Sequence, residues 1–195
     1  AGLAGEAAHD LEDRRRQIGV DGVNQGSGLL ARNGRALHSH AMRIVDFEPR
    51  HAAAWKALNE AGVSRHFALE PADEAVLGDP VGKVLAPGGH IFMAEGPDGA
   101  PLGCVGLKAM ADGGFEVIKM TVDERARGTG LGRRLMQACI DRAKASGARR
   151  LYLETNAGLG PALGLYRAVG FTDIPPRDTE YSRCDVWMEL VFAAE

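Results

Sequence analysis

The sequence has no run of eighteen apolar residues, so it offers no helix that could span a membrane, and no membrane partner is expected. It has only three cysteines, Cys104, Cys139 and Cys184, an odd number at wide spacing. That fits neither a disulfide framework nor a zinc site, and points to a reducing cytoplasm with cysteines serving as small apolar residues. The six histidines (His9, His38, His40, His51, His66, His90) include no pair at ligand spacing beyond the first forty residues, so no metal is expected. A marked excess of either charge is also lacking. With 23 basic and 26 acidic residues the net charge is −3, which argues against nucleic acid as an obligate partner. There are no internal repeats. Residues 1–40 contain no methionine, are rich in Gly, Arg and Ala, and lack the continuous apolar stretch of a secretory signal. They read as a tail or upstream extension, with the folded domain over 41–195.

What remains is ordinary in composition: 195 residues, 45% hydrophobic and 25% charged, enough to bury one core. Arg43 to Phe47 reads as a strand. Pro49 opens a helix with Ala54, Trp55, Leu58 and Ala61 as its stripe, and Gly62 is expected to close it. Pro71 and Gly78 bracket a second helix. An antiparallel meander follows over 90–95, 102–110 and 115–122, with turns at Gly96-Pro97-Asp98-Gly99 and Asp112-Gly113-Gly114. A helix over 130–146 carries Leu131, Leu135, Cys139 and Ala143 on one face. Arg150 to Thr155 alternates as a strand, Pro161 to Gly170 is a helix, Phe171 to Ile174 is a strand, and Tyr181 to Phe192 alternates again. The pattern gives β-α-α-β-β-β-α-β-α-β-β, an α/β (α+β) domain with a mixed, mostly antiparallel sheet of about seven strands and four helices.

The chain is organised around Val122-Asp123-Glu124-Arg125-Ala126-Arg127-Gly128-Thr129-Gly130-Leu131-Gly132-Arg133-Arg134-Leu135. A strand enters this stretch and a helix leaves it. Glycine admits positive φ and lets a ligand approach the backbone closely. Free amides at the start of the helix make an anion site, and arginines add charge-assisted donors suited to phosphate. The residues therefore describe a pyrophosphate cradle over Arg127, Gly128, Thr129, Gly130, Leu131, Gly132 and Arg133. A Walker loop needs Gly-Lys-Ser/Thr, but Gly132 precedes two arginines. The dinucleotide fingerprint needs a glycine where Arg133 stands.

Arg-x-x-Gly-x-Gly from Arg127 resembles the acyl-CoA-binding motif of the Gcn5-related N-acetyltransferase (GNAT) superfamily. Lys119-Met120-Thr121-Val122 looks like that family's fourth strand, and Pro161 to Phe171 looks like its Ala-x-x-Leu-Tyr-x-x-x-Gly-Phe segment. The resemblance implies the GNAT fold over about 42–192 and acetyl-CoA as cosubstrate. It implies that Met120, Thr121 and Val122 offer backbone donors to the coenzyme arm, with Ala162 near it. Tyr166 would be the general acid for the leaving thiolate. Members often carry Asn seven residues before this tyrosine; Leu159 stands there, and Asn156 is expected to take over that contact.

Acyl transfer to an amine also needs a base, because the free amine is mostly ammonium at neutral pH. Glu116 interrupts an apolar strand, where burial would raise its pKa. Glu154 is a second carboxylate at the acceptor side, and Arg65 and His66 in the unpatterned 62–90 segment are candidate acceptor contacts. The expected activity is direct acetyl transfer to the primary amine of a small molecule or amino-acid-like acceptor. A protein lysine or N-terminal amine as acceptor, and a non-catalytic coenzyme A-sensing module, are the alternatives. A homodimer is left open.

Overall fold

The computed structural model describes residues 42–193, and the tail expected at 1–40 lies outside the described residues. The predicted meander is formed by β2 (His90–Glu95), β3 (Pro101–Ala109) and β4 (Phe115–Val122), and β1 (Arg43–Asp46) adds to it against β2, all paired antiparallel. Next to β4 and parallel to it lies β5 (Arg150–Thr155). With β6 (Thr172–Ile174) and β7 (Val186–Val191) the sheet order is β1-β2-β3-β4-β5-β7-β6. Four α-helices are described: α1 (Ala52–Val63), α2 (Pro71–Gly78), α3 (Leu131–Ala145) and α4 (Gly160–Ala168). The expected seven strands and four helices are all present.

The period-two alternation of the strands divides the core between the sheet's faces. Phe115, Val117, Leu151, Leu153 and Met188 pack with Leu131, Leu135, Cys139 and Ala143 of α3 and with Leu163 and Tyr166 of α4. On the opposite face Ile91, Met93, Cys104 and Ile118 pack beneath Trp55 of α1 and Leu77 of α2.

Strand β4 departs from regular pairing at one place. Cys104 pairs with Thr121 but Gly106 with Ile118, so Lys119 and Met120 stand together opposite Val105. Lys119 has φ of 53°, the left-handed region, and is the one non-glycine described residue to do so. An L-residue there costs roughly 1–2 kcal/mol. The extra residue bends the strand. It also turns Lys119 to the same face as Ile118, toward α2, after which Thr121 faces α1 while Met120 and Val122 return to the α3 side. Past Glu116, β4 leaves β5: only Phe115↔Leu151 and Glu116↔Tyr152 are paired.

Two expectations change. Gly62 does not end α1; the helix continues to Val63, because a glycine is needed where α1 meets β4. A Cβ on Gly62 would lie 2.8 Å from Thr121 Oγ1. The last strand begins at Val186, not Tyr181, because Arg183 is drawn away to carboxylates on and beside α2. Cys184 is consequently in a half-buried loop and not in the core, whereas Cys104 and Cys139 are fully buried.

Replacing Gly62 with alanine sets helix propensity, worth about 1 kcal/mol in alanine's favour, against overpacking that costs about 1–3 kcal/mol. Thr121 cannot turn aside freely, since its hydroxyl donates to Asn59 Oδ1 at 3.2 Å. G62A is therefore expected to lose about 1 kcal/mol in urea unfolding; an unchanged or higher midpoint would show that Thr121 yields.

Candidate active site

The turn leaving β4 begins with Asp123, whose side chain accepts from the Arg125 amide at 2.9 Å and closes a short 3-10 turn over Glu124–Ala126. Gly128 and Gly130 then take φ of 72° and 83°, and Gly130 stands at the cap position of α3. Glycine adopts these positive φ values without the steric cost of a Cβ. Among the described residues, the N–H groups of Gly128, Gly130, Leu131, Gly132 and Arg133 donate to no protein acceptor. The first-turn amides of a helix are orphans by construction of the helix itself, and here α3 adds its positive dipole end. Arg127 and Arg133 are exposed beside them. Leu131 contributes only its amide, for its side chain is buried in the core, and the Thr129 hydroxyl donates to Ala126 O at 2.6 Å within the turn.

Because β4 and β5 diverge, a cleft of about 390 Å³ opens between them. Arg127 and Gly132 line one end. Met120, Thr121 and Val122 form one wall, and Asn156, Ala162 and Tyr166 the other. Arg65, His66, Glu116 and Glu154 line it too. Glu116, Tyr152 and Glu154 share one face of the sheet, while Tyr166 belongs to α4 on the other. The cleft joins them by passing through the gap between the strands.

Each of these groups has its chemistry set by surroundings. Glu116 is half-buried and makes no hydrogen bond or ion pair with a described residue; burial pushes its carboxyl up to about 7, with Lys108 opposing and Glu154 adding to the rise. Tyr166 is buried against Phe171 with ring centroids 6.0 Å apart, and burial raises its phenol to about 12. Glu154 accepts from the Tyr152 hydroxyl at 2.8 Å and from the Thr179 hydroxyl. Asn156 is already committed to its own loop: Nδ2 donates to Arg183 O at 2.7 Å, and Oδ1 accepts from the Gly158 amide at 2.8 Å.

Behind the Glu116 end lies a charge cluster that sequence reasoning missed. Asp73, fully buried on α2, accepts from Lys119 Nζ and, at 2.7 Å each, from Nη1 and Nη2 of Arg183. Lys119 also donates to Tyr181 Oη at 3.0 Å, and Arg183 to Glu70 at 3.0 Å. Asn59, buried on α1, donates to Trp55 O and to Cys104 Sγ while accepting from Thr121. The one local signal was Lys119 itself, a charge inside an apolar strand; its partner is 46 residues away. Arg65 is the other surprise. It approaches Glu124 beside the glycine turn at 3.3 Å, at the far end of the cleft from Glu116. Among the described residues no group of His, Cys, Asp and Glu could hold a metal, and no helix is long and apolar enough to cross a membrane.

The Acetyltransferase (GNAT) family model matches residues 52–171, and the chain belongs to that family. Among curated relatives, IAA acetyltransferase of Azospirillum brasilense is 37% identical over 86 residues, covering 44% of this chain and 56% of the relative. L-methionine sulfoximine/L-methionine sulfone acetyltransferase of Pseudomonas aeruginosa is 34% identical over 87 residues, 40% and 49% of the two chains. The chain thus spans about half the length of the curated relatives it matches. The GNAT-family acetyltransferase structure from Staphylococcus aureus aligns with a TM-score of 0.70 at 18% identity, covering 76% of this chain and 98% of that one. The yncA structure from Salmonella typhimurium, determined with its cofactor acetyl-CoA, gives 0.62 at 19% identity, covering 79% and 95%. At these identities the structural likeness speaks for the fold.

The Asp73 cluster has a consequence for stability. Burial alone would raise the Asp73 carboxyl, but Arg183 and Lys119 hold it down at about 2, below its ordinary 3.8. A depressed carboxylate contributes stability above its unfolded pKa and loses it as pH falls through the folded value. Thermal melts should therefore hold steady above about pH 4 and fall between 4 and 2 on this account. D73N leaves two buried cations short of counter-charge and is expected to cost about 3–5 kcal/mol. A melting temperature in D73N near that of the wild type would show that Glu70 and Tyr181 suffice.

Proposed function

We propose that the chain is an acetyl-CoA-dependent N-acetyltransferase that passes the acetyl group directly to a primary amine of a small molecule or an amino-acid-like acceptor. The observation that carries this reading is one continuous cleft, from Arg127 and Gly132 beside the unpartnered amides to the gap between Glu116 and Tyr166. The acetyl-CoA in the yncA structure and the amino-acid-like compounds in the name of the Pseudomonas relative support it.

The fit of acetyl-CoA rests on the row of free amides, a donor set suited to a diphosphate. Bound there, it supplies a thioester carbon open to attack by an amine. The residues of the chain do the rest. The β5-facing edge of β4 at Met120, Thr121 and Val122 has no strand partner, and its backbone donors are fixed in place for carbonyl oxygens before substrate arrives. Glu116, near 7, is part ionised at neutral pH and takes the proton that the amine must lose. Tyr166 keeps its own proton at any physiological pH and so holds it ready for the departing sulfur.

Covalent catalysis through cysteine is disfavoured. Burial pushes the Cys104 thiol up to about 12, and Cys184, which lines the cleft, up to about 11; buried Cys139 is likewise raised. Direct transfer fits these thiols best. The sensor alternative anticipates Glu116 and Tyr166 turned away from the cleft. Both line it, which favours turnover.

Two outcomes follow. The kcat/KM for an amine should climb with pH through about 7, as Glu116 loses its proton. E116Q should remove that limb and lower kcat by about 10²–10⁴; a thiol-release profile unchanged in E116Q would assign the base elsewhere. At Gly130, φ of 83° strains any β-branched residue although no atom obstructs a Cβ. G130V should melt only a few degrees lower, the roughly 1–2 kcal/mol of left-handed backbone strain, yet lose more than about tenfold in acetyl-CoA affinity, the equivalent of one or two charge-assisted bonds. Unchanged affinity by calorimetry would refute the cradle.

A further inference from the structure

Arg65, a candidate acceptor contact from sequence, lines the cleft just past the end of α1 and beside the glycine turn. Helix α1 runs beside β4 with Gly62 resting on Thr121. Three residues beyond Gly62 is Arg65, and three beyond Thr121 is Glu124, and these two meet: Arg65 Nε lies 3.3 Å from Glu124 Oε1. The same carboxylate oxygen is 3.7 Å from Arg127 Nη1. One carboxylate thus stands between two guanidinium groups that arrive from different elements, α1's end and the glycine turn. Arg65 and Arg127 both line the cleft.

The charge balance at this corner is lopsided. Asp123 is already engaged by Arg125, its carboxylate bonded to Arg125 Nε at 2.8 Å. Among the described residues that leaves Glu124 as the one carboxylate within ion-pair distance of both arginines, with Asp123 acting on Arg65 only from further off, and the Glu124 side chain is 67% exposed. An exposed pair of this kind is held only weakly and exchanges readily for a better anion. A diphosphate is that better anion: it carries at least two charges and more acceptor oxygens, and guanidinium groups bind phosphate through paired N–H donors. The free amides of Gly128 and Gly130 lie on the same turn as Arg127.

We infer that Arg65 is the second jaw of the diphosphate site, opposing Arg127 across the mouth of the cleft, with Glu124 as the exchangeable counter-ion that keeps both arginines in place until coenzyme arrives. The inference rests on the coenzyme reading proposed above and adds to it a contact from outside the glycine turn. It also removes Arg65 from the acceptor's surroundings. Because Glu124 competes with the ligand, removing its charge and removing Arg65 act in opposite directions on coenzyme affinity.

The test is calorimetric titration of acetyl-CoA and of S-acetylpantetheine, which lacks the diphosphate, into the full chain and its R65Q and E124Q variants. R65Q is expected to raise the Kd for acetyl-CoA about tenfold, the scale of one charge-assisted hydrogen bond. E124Q is expected to lower that Kd severalfold. The Kd for S-acetylpantetheine should be the same in R65Q as in the wild type. An acetyl-CoA Kd unchanged in R65Q, or raised in E124Q, overturns the inference. So does an equal loss for both ligands in R65Q, which would place Arg65 on the acyl side. Failure of the wild-type chain to bind acetyl-CoA at all would instead defeat the coenzyme reading, and this inference with it.

Discussion

Strand β4 has to satisfy two neighbours that ask for different directions. It must stay paired with β3 along its length, and it must leave β5 after Glu116. A flat, regular strand cannot do both. One additional residue at Lys119, with its backbone in the left-handed region, resolves the conflict by bending β4 while its β3 pairing resumes at Thr121. The cleft, the unpaired strand edge at Met120 to Val122 and the meeting of groups from both faces of the sheet all follow from that bend. Glycine would hold this backbone at lower cost, so a lysine there must be stabilised by something else. Asp73 does so: the Lys119 ammonium finds a buried carboxylate that also takes two bonds from Arg183.

That ion cluster joins three segments far apart in sequence, namely α2, β4 and the loop before β7. Each charge is paired, as burial demands. Glu116 stands apart as a carboxylate without a cation partner, and it is the one whose pKa is pushed up to about 7. The contrast between Asp73 and Glu116 is one of surroundings. Both are acidic groups on the α1–α2 side of the sheet; one is held charged by partners and the other is poised between states by burial without them. Structure is served by the first and proton transfer suits the second.

Much of this was legible in the chain because it is local. The apolar alternation of 90–122 and the stripe Leu131, Leu135, Cys139, Ala143 follow from the strand and helix periods, and the folded elements fall within a few residues of expectation. The glycine turn was legible because glycine, arginine and a helix start each carry a physical meaning in sequence. What escaped depends on partners distant along the chain. Tyr181 to Asp185 alternates like a strand, yet Arg183 is claimed by Asp73, 110 residues away. Asn156 lines the cleft as expected of its position, but that its side chain also bonds Arg183 O, 27 residues on, has no local signal. Arg65 was placed by its position in an unpatterned segment, and no local pattern says where the end of α1 will lie relative to β4.

The contact of α1 with the sheet shows why that end lies where it does. Trp55, Asn59 and Gly62 are spaced by four and three residues, so they share one face of the helix. Each has a particular counterpart: the Trp55 ring approaches within 3.3 Å of where a Cβ on Gly106 would stand, Asn59 bonds Cys104 and Thr121, and Gly62 abuts Thr121. Large on small, amide on hydroxyl and small on branched form a sequence of fits that only one register satisfies. Slipping the helix by a turn, about 5.4 Å, would take the Trp55 ring off Gly106 and the Asn59 side chain away from Cys104 and Thr121. The register is therefore fixed by packing, and with it the reach of Arg65 beyond the helix end to Glu124. The geometry of the anion corner is thus set by the core beneath it, since the same Thr121 that seats α1 is part of the strand edge lining the cleft.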